Sequence, residues 1–306
     1  IDDVKAGTVT ASSIIAQNQI TGMATAAGTI AFRSSYTPDG TKIVQSGKDR
    51  VLVLNATTLA PLNGTAGVTA IGGGSTSFEN HDALTIDNDY ALLALQSKIT
   101  TSAGVAALVL YDLNTNATIG SATNMCTPCH TWDSGAKSHF MCGIDGKLTK
   151  SGTTYTGDIY VASTGGGHIV KVPLTIDPAN TTTPIVVGTT VKKQISDSEG
   201  GTTADIIPNF HDVRFDDATD RVYYSAIKTD STTGAAKDNA HLGYWDLTAN
   251  TIVDASISAT SAAITGLVYC GSGQTTDYFI PMTMSYPAYI DAIPKSLIEG
   301  GAEIVP

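Results

Sequence analysis

Positive charge is scarce in this chain: 17 Lys and Arg stand against 28 Asp and Glu over 306 residues, a formal net charge of -11. No basic run interrupts the acidity, so nucleic acid and anionic lipid are excluded as electrostatic partners. Long apolar runs are missing as well. No stretch nears the roughly 18 consecutive apolar residues of a membrane-crossing helix, and no membrane span is expected. Also lacking are a Gly-x-Ser-x-Gly elbow, a phosphate-cradling loop and a His-Glu-x-x-His helix, which removes the common hydrolytic signatures. Glu79 and Asp82 near His81, and Asp133 near His130, are the carboxylate–imidazole neighbours available for acid–base work. Loop carboxylates of this kind are common, and the sequence leans away from an enzyme.

Charge of either sign is low, at 15% of residues, and Ala, Thr, Ser and Gly fill surface positions in its place. Cysteine is limited to four, an even number that suits an oxidising compartment. The chain begins at Ile1 without a visible leader, so the reading expects one to have been removed. The expected location is extracellular or at the cell surface, with the periplasm as the alternative.

What the chain does contain is repetition. Helical periodicity is nearly absent, and apolar runs of four to eight residues alternate with turn clusters, the pattern of an all-β sandwich, barrel or propeller. The stretch "SSYTPDGTKIVQSGKDRVLVLNATTLAPL" (34–62) reads as strand, turn, strand, tight turn, strand, turn, short strand. The same order recurs over 80–120 and 210–253, and more loosely from His130 through "HIVKVPLTI" (168–176) and over 266–294. "VLVLNATT", "VLYDLNT" and "GYWDLT" superimpose, each leading an apolar pair into Asn55, Asp112 or Asp246. A short polar side chain there bonds the backbone of its own turn.

"YTPDGTKIVQSGKDRVLVLNATTL" resembles a blade of the YVTN-type and cytochrome d1-like β-propellers. The resemblance runs over most of 25–294 and implies the fold rather than an activity, because propellers host many functions. The expectation is one all-β domain over 25–306, a single β-propeller of four-stranded blades preceded by an extended segment, 1–24. Five blades are countable. At about 40–50 residues per blade, the long third repeat (126–200) has room for one or two more, up to seven.

His81, His130 and His211 each stand where a repeat begins its first strand, in "NHDAL", "CHTWD" and "FHDVR". One reading is structural, with imidazole and carboxylate tying neighbouring blades by hydrogen bonds. The other brings His81, His130 and His211 to the channel mouth as metal ligands, with Asp82 and Asp212 fixing the tautomers. The spacing Cys126-Thr-Pro-Cys129-His130 is also that of c-type haem attachment, with Met125, Met141 or His139 as the distal ligand. Against it stand two disulfides among Cys126, Cys129, Cys142 and Cys270, or a Cys/His metal cluster. Disulfides rank first, haem second and the thiolate cluster last. The cofactor is therefore open, with a metal ion ahead of haem c.

Four Asn-x-Thr tripeptides, at Asn55, Asn63, Asn116 and Asn180, make surface glycans plausible in a glycosylating source. The Thr/Ala/Ser-rich segment 1–24 has β-prone stretches and is expected to add to a sheet edge, through Val9, Ile14 and Ile15. That edge belongs either to its own last blade or to a neighbouring copy, which would build a homo-oligomer or filament. The sequence thus expects an exported, assembling structural or binding subunit, with a redox protein as the alternative.

Overall fold

The computed structural model describes residues 31–47, 50–63, 69–70, 78–97, 106–126, 140–164, 168–193, 206–230, 236–257, 264–270, 278–283 and 293–301. They form five antiparallel sheets built from consecutive strands, with one five-residue helix. The fold is an all-β propeller, and the five sheets coincide with the five repeats read from the sequence.

The first sheet is β1 (Ala31–Tyr36), β2 (Lys42–Gly47), β3 (Arg50–Asn55) and β4 (Thr69–Ala70), hydrogen-bonded in that order. The second is β5 (Phe78–Thr85), β6 (Tyr90–Ser97), β7 (Ala106–Asp112) and β8 (Ala117–Cys126). The third holds β9 (Phe140–Ser151), β10 (Thr154–Thr164) and β11 (His168–Ile176), whose far edge is shared by two short strands, β12 (Ile185–Val187) and β13 (Val191–Lys193). Residues 126–200, where further blades had room, hold this single sheet among the described residues; a fifth strand takes up part of the extra length. The fourth sheet is β14 (Ile206–Asp216), β15 (Arg221–Asp230), β16 (Ala236–Asp246) and β17 (Thr251–Ile257). The fifth is β18 (Ile264–Cys270), β19 (Tyr278–Thr283) and β20 (Ile293–Pro294), followed by helix α1 (Lys295–Glu299).

The described residues divide into two compact units, one within 31–159 and 172–190, the other within 160–171 and 191–301. In the first unit the middle strands are apolar on both faces. Val44, Val51, Val53, Leu93, Leu95, Val109 and Tyr111 form one buried cluster from the first two sheets. Strands covered on both faces read as continuous apolar runs rather than as alternation, hence "VLVL" and "ALLAL". In the second unit Tyr223, Tyr244 and Phe279 pack on one side of the fourth sheet. Tyr160, Tyr224 and Trp245 pack on the other.

The aligned turns behave as their residues require. Asn55 Oδ1 accepts from the backbone N–H groups of Thr57 and Thr58, at 3.0 and 2.8 Å. Asp112 Oδ1 accepts from Asn114 and Thr115, and Asp246 Oδ1 from Ala249. Four positions after each cap the chain turns left-handed, at Leu59, Asn116 and Asn250, with φ of 57°, 56° and 56°. Asn tolerates that conformation; Leu does so at a cost. This five-residue turn is the local unit that the repeats share.

Outer edges are covered by the chain itself. Asn63 acts as a piece of strand beside β3: its Oδ1 accepts from Val53 N–H and its Nδ2 donates to Val51 C=O, at 2.9 and 2.8 Å. Beside β8, Gly120 sits against Pro184, where an added Cβ would lie 2.4 Å from the proline Cδ. These covers blunt edges that would otherwise template uncontrolled pairing.

Candidate functional site

The sequence singles out His-Asp pairs, and the structure shows what their carboxylates do. Register shifts flank His81 between Asn80 and Asp82, and His211 between Phe210 and Asp212, so each His occupies a β-bulge. A bulge re-aims the residue that follows it. Asp82 is 2% exposed. Its Oδ1 accepts from the N–H of Ala83 at 2.8 Å, and its Oδ2 accepts from the N–H of Ile144, in the next sheet, at 2.8 Å. Asp212, fully buried, repeats this: Oδ1 takes Val213 N–H at 2.9 Å and Oδ2 takes Leu267 N–H at 2.7 Å. Arg214 also donates to Asp212 Oδ1, at 3.0 Å.

The receiving strands carry Gly at the matching place, in Cys142-Gly143-Ile144 and Thr265-Gly266-Leu267. His130, where the sequence alignment begins the third repeat, lies before the first described strand of that sheet, β9. His130, Cys129, Val9, Ile14 and Ile15 lie outside the described residues. The backbones of His81, His211, Cys126, Cys142 and Cys270 are in strands, and their side chains are outside the described set. The metal, haem and disulfide readings all rest on those side chains. Of the expected site, the described part is the two carboxylates, and both are joints between sheets.

A second polar cluster escaped the sequence reading. Tyr224, Gly243 and Asp254 lie in one cross-strand row over β15, β16 and β17. Tyr224 donates across the glycine to Asp254 Oδ1 at 2.8 Å, and His241 Nδ1 lies 2.7 Å from Asp254 Oδ2. A Cβ on Gly243 would sit 2.4 Å from the Tyr224 hydroxyl oxygen and 2.4 Å from the Val253 carbonyl oxygen. The equivalent row of the second sheet is apolar, Leu93 facing Val109, and that of the first pairs Gln45 with Leu52. The signal available in the sequence was Gly243 itself, because a glycine inside a strand marks close approach of something else.

Two further networks bind turns to their neighbours. Asp87 caps its own turn through Asp89 and Tyr90 N–H, and receives hydrogen bonds from Tyr155 and Lys150. Burial raises its pKa, but these hydrogen bonds outweigh burial and hold it below the usual carboxylate value. Tyr155, in turn, is raised by burial and by Asp87. On α1, Lys295 donates to Asp216 while Glu299 accepts from Arg221 and Tyr223 at 2.6 and 2.8 Å. Asp216 is pushed up by burial and pulled further down by Lys295 and Thr219, ending below its ordinary value. Burial, then Glu299, pushes the Tyr223 phenol well above its own.

No family model matches the chain, and no curated protein matches it in sequence. Solved structures do. An endo-arabinase from Bacteroides thetaiotaomicron is 7% identical with a TM-score of 0.51, covering 90% of this chain and 96% of that one. Drosophila Semaphorin 2a is 12% identical with a TM-score of 0.48, covering 90% of this chain; this chain spans about half of it, 49%. The β-propeller domain of Myceliophteria thermophila Cps50 (Swd1) is 12% identical with a TM-score of 0.40, covering 86% and 72%. At these identities the likeness concerns the fold alone.

Proposed function

We propose that this chain is an exported, non-enzymatic propeller that serves as an assembling extracellular structural or binding subunit, with residues 1–24 adding as a strand to a neighbouring copy. The observation that carries the first half is the use made of Asp82 and Asp212. Both carboxylates accept backbone N–H groups of their own and the next sheet, through both oxygens. A carboxylate committed in that way holds a scaffold together. The His-Asp repeat is then a structural joint, in keeping with the low charge and acidic balance of the whole chain. The second half rests on the composition of the first 24 residues, β-prone and weakly apolar, which suits an extended strand that gains order from a sheet edge.

The test compares the full chain with one lacking residues 1–20, by light scattering for mass and circular dichroism for fold. The reading expects an assembling full chain and a folded, monomeric truncation. A truncation that unfolds would mean that the segment closes its own ring, and the assembling role would fall.

A further inference from the structure

We propose that Asn180 is an acceptor of N-linked sugar on this chain and that Asn63, within the same tripeptide pattern, is not. The inference rests on the export half of the proposed function, since attachment takes place in an export compartment.

Asn180 lies at the tip of the β11–β12 connection, which is closed at its base by a bond from Asp177 N–H to Pro184 C=O at 2.8 Å. Asn180, Thr181, Thr182 and Thr183 are all exposed. Asn180 Oδ1 accepts from the N–H groups of Thr182 and Thr183, at 3.2 and 3.0 Å, so the side chain turns the backbone back on itself. Its amide nitrogen donates to the Thr183 hydroxyl at 3.2 Å. That partner is a solvent-facing rotor, and water replaces it at little cost.

Asn63 differs in every respect that matters to a transferase. It is 3% exposed, and both ends of its amide are used as strand backbone, toward Val53 and Val51. A glycan there would have to displace the cover of β3. Asn55 and Asn116 are half-buried, and Asn116 holds a left-handed φ of 56°. Asn180 alone among the four is exposed.

The step needs a lipid-pyrophosphate-linked oligosaccharide as co-reactant. The Asn180 Nδ2 loses one proton to a transferase base and bonds the anomeric carbon of the sugar. The bond from that carbon to the carrier's pyrophosphate oxygen breaks, and the carrier leaves with the electron pair. No oxidation or reduction is involved.

The experiment expresses the full chain behind a secretion leader in a eukaryotic host that glycosylates asparagine, with a control Asn-x-Thr tag appended at the C-terminus. Intact mass and peptide maps are read before and after an amide-cleaving glycosidase. Asn180→Gln and Thr182→Ala should each remove one glycan, and the Asn63 peptide should be unmodified in folded protein. An unmodified Asn180 beside a modified tag, or a glycan on Asn63 in folded protein, overturns the proposal. The two readings separate: a chain retained in the host despite its leader counts against export, and its Asn180 peptide still reports on acceptance.

Discussion

Asp82 accepts the backbone N–H of Ile144, 62 positions further along the chain, at 2.8 Å, and Asp212 accepts that of Leu267, 55 positions on, at 2.7 Å. Two separate repeats thus fasten to their successors by the same atom of the same residue type. Replacing either carboxylate with Ala leaves a buried N–H without its acceptor. Asp82→Ala and Asp212→Ala should each cost about 3 kcal/mol, read by urea unfolding, because bonds to a charged acceptor and the desolvation of the orphaned donor both count. Asn at the same positions keeps one carbonyl acceptor and should cost less. Equal losses for Ala and Asn would speak against the joint.

The row through Gly243 sets a second expectation. Gly243→Ala places a methyl against the Tyr224 hydroxyl and the Val253 carbonyl, and should destabilise by roughly 2–3 kcal/mol as an overpacked site. The Tyr224 bond to Asp254 should be lost with it, visible as a change in near-ultraviolet dichroism. A neutral substitution would mean that the strands separate more easily than this packing allows.

Left-handed turns give a third. Asn250 holds a φ of 56° and accepts from the Trp245 indole N–H at 3.3 Å. Asn250→Ala should cost about 1–2 kcal/mol, and Asn250→Gly should recover part of that. At Leu59, φ 57°, the reverse holds. Leu59→Gly relieves the backbone while giving up packing against Leu52 and Leu54, so the net change should be small.

Acid should loosen the turn networks. The Asp87 and Asp216 carboxyls both lie below their ordinary value of 3.8 in the folded chain. A depressed folded pKa means stability that is present above the unfolded value and is lost as pH falls through the folded one. Thermal midpoints should therefore hold near neutrality and fall below about pH 4. Asp216→Asn should lower the neutral midpoint, by stripping Lys295 of its anion, and should flatten the acid limb. An unchanged acid limb would show that Asp216 is not one of the groups responsible.

The parts of this fold that show in the sequence are those written in local spacing. Asn55, Asp112 and Asp246 cap turns that close within three residues, so the cap and its targets appear in one short string. The five repeats show for the same reason. The joints were half visible: His-Asp marked Asp82 and Asp212, but their acceptor role involves the N–H groups of Ile144 and Leu267, which carry no side-chain signature. The cue was the glycine before each, Gly143 and Gly266. His130, a histidine beside two cysteines, is the conspicuous residue of the third repeat, and the first described strand of that sheet begins ten residues later, at Phe140. His241 went unnoticed because it, Tyr224 and Asp254 come from three strands whose order is clear only once they are paired.

The assembling role is tested most directly by mixing. A chain lacking residues 1–20 can accept a strand from a neighbour but has none to donate, so it should act as a terminator. When truncated chain is added to full chain before assembly, the mean mass by light scattering should fall steadily as the truncated fraction rises, and labelled truncated chain should be found in the assemblies. Assemblies of unchanged mass that exclude the truncated chain would contradict strand donation between copies.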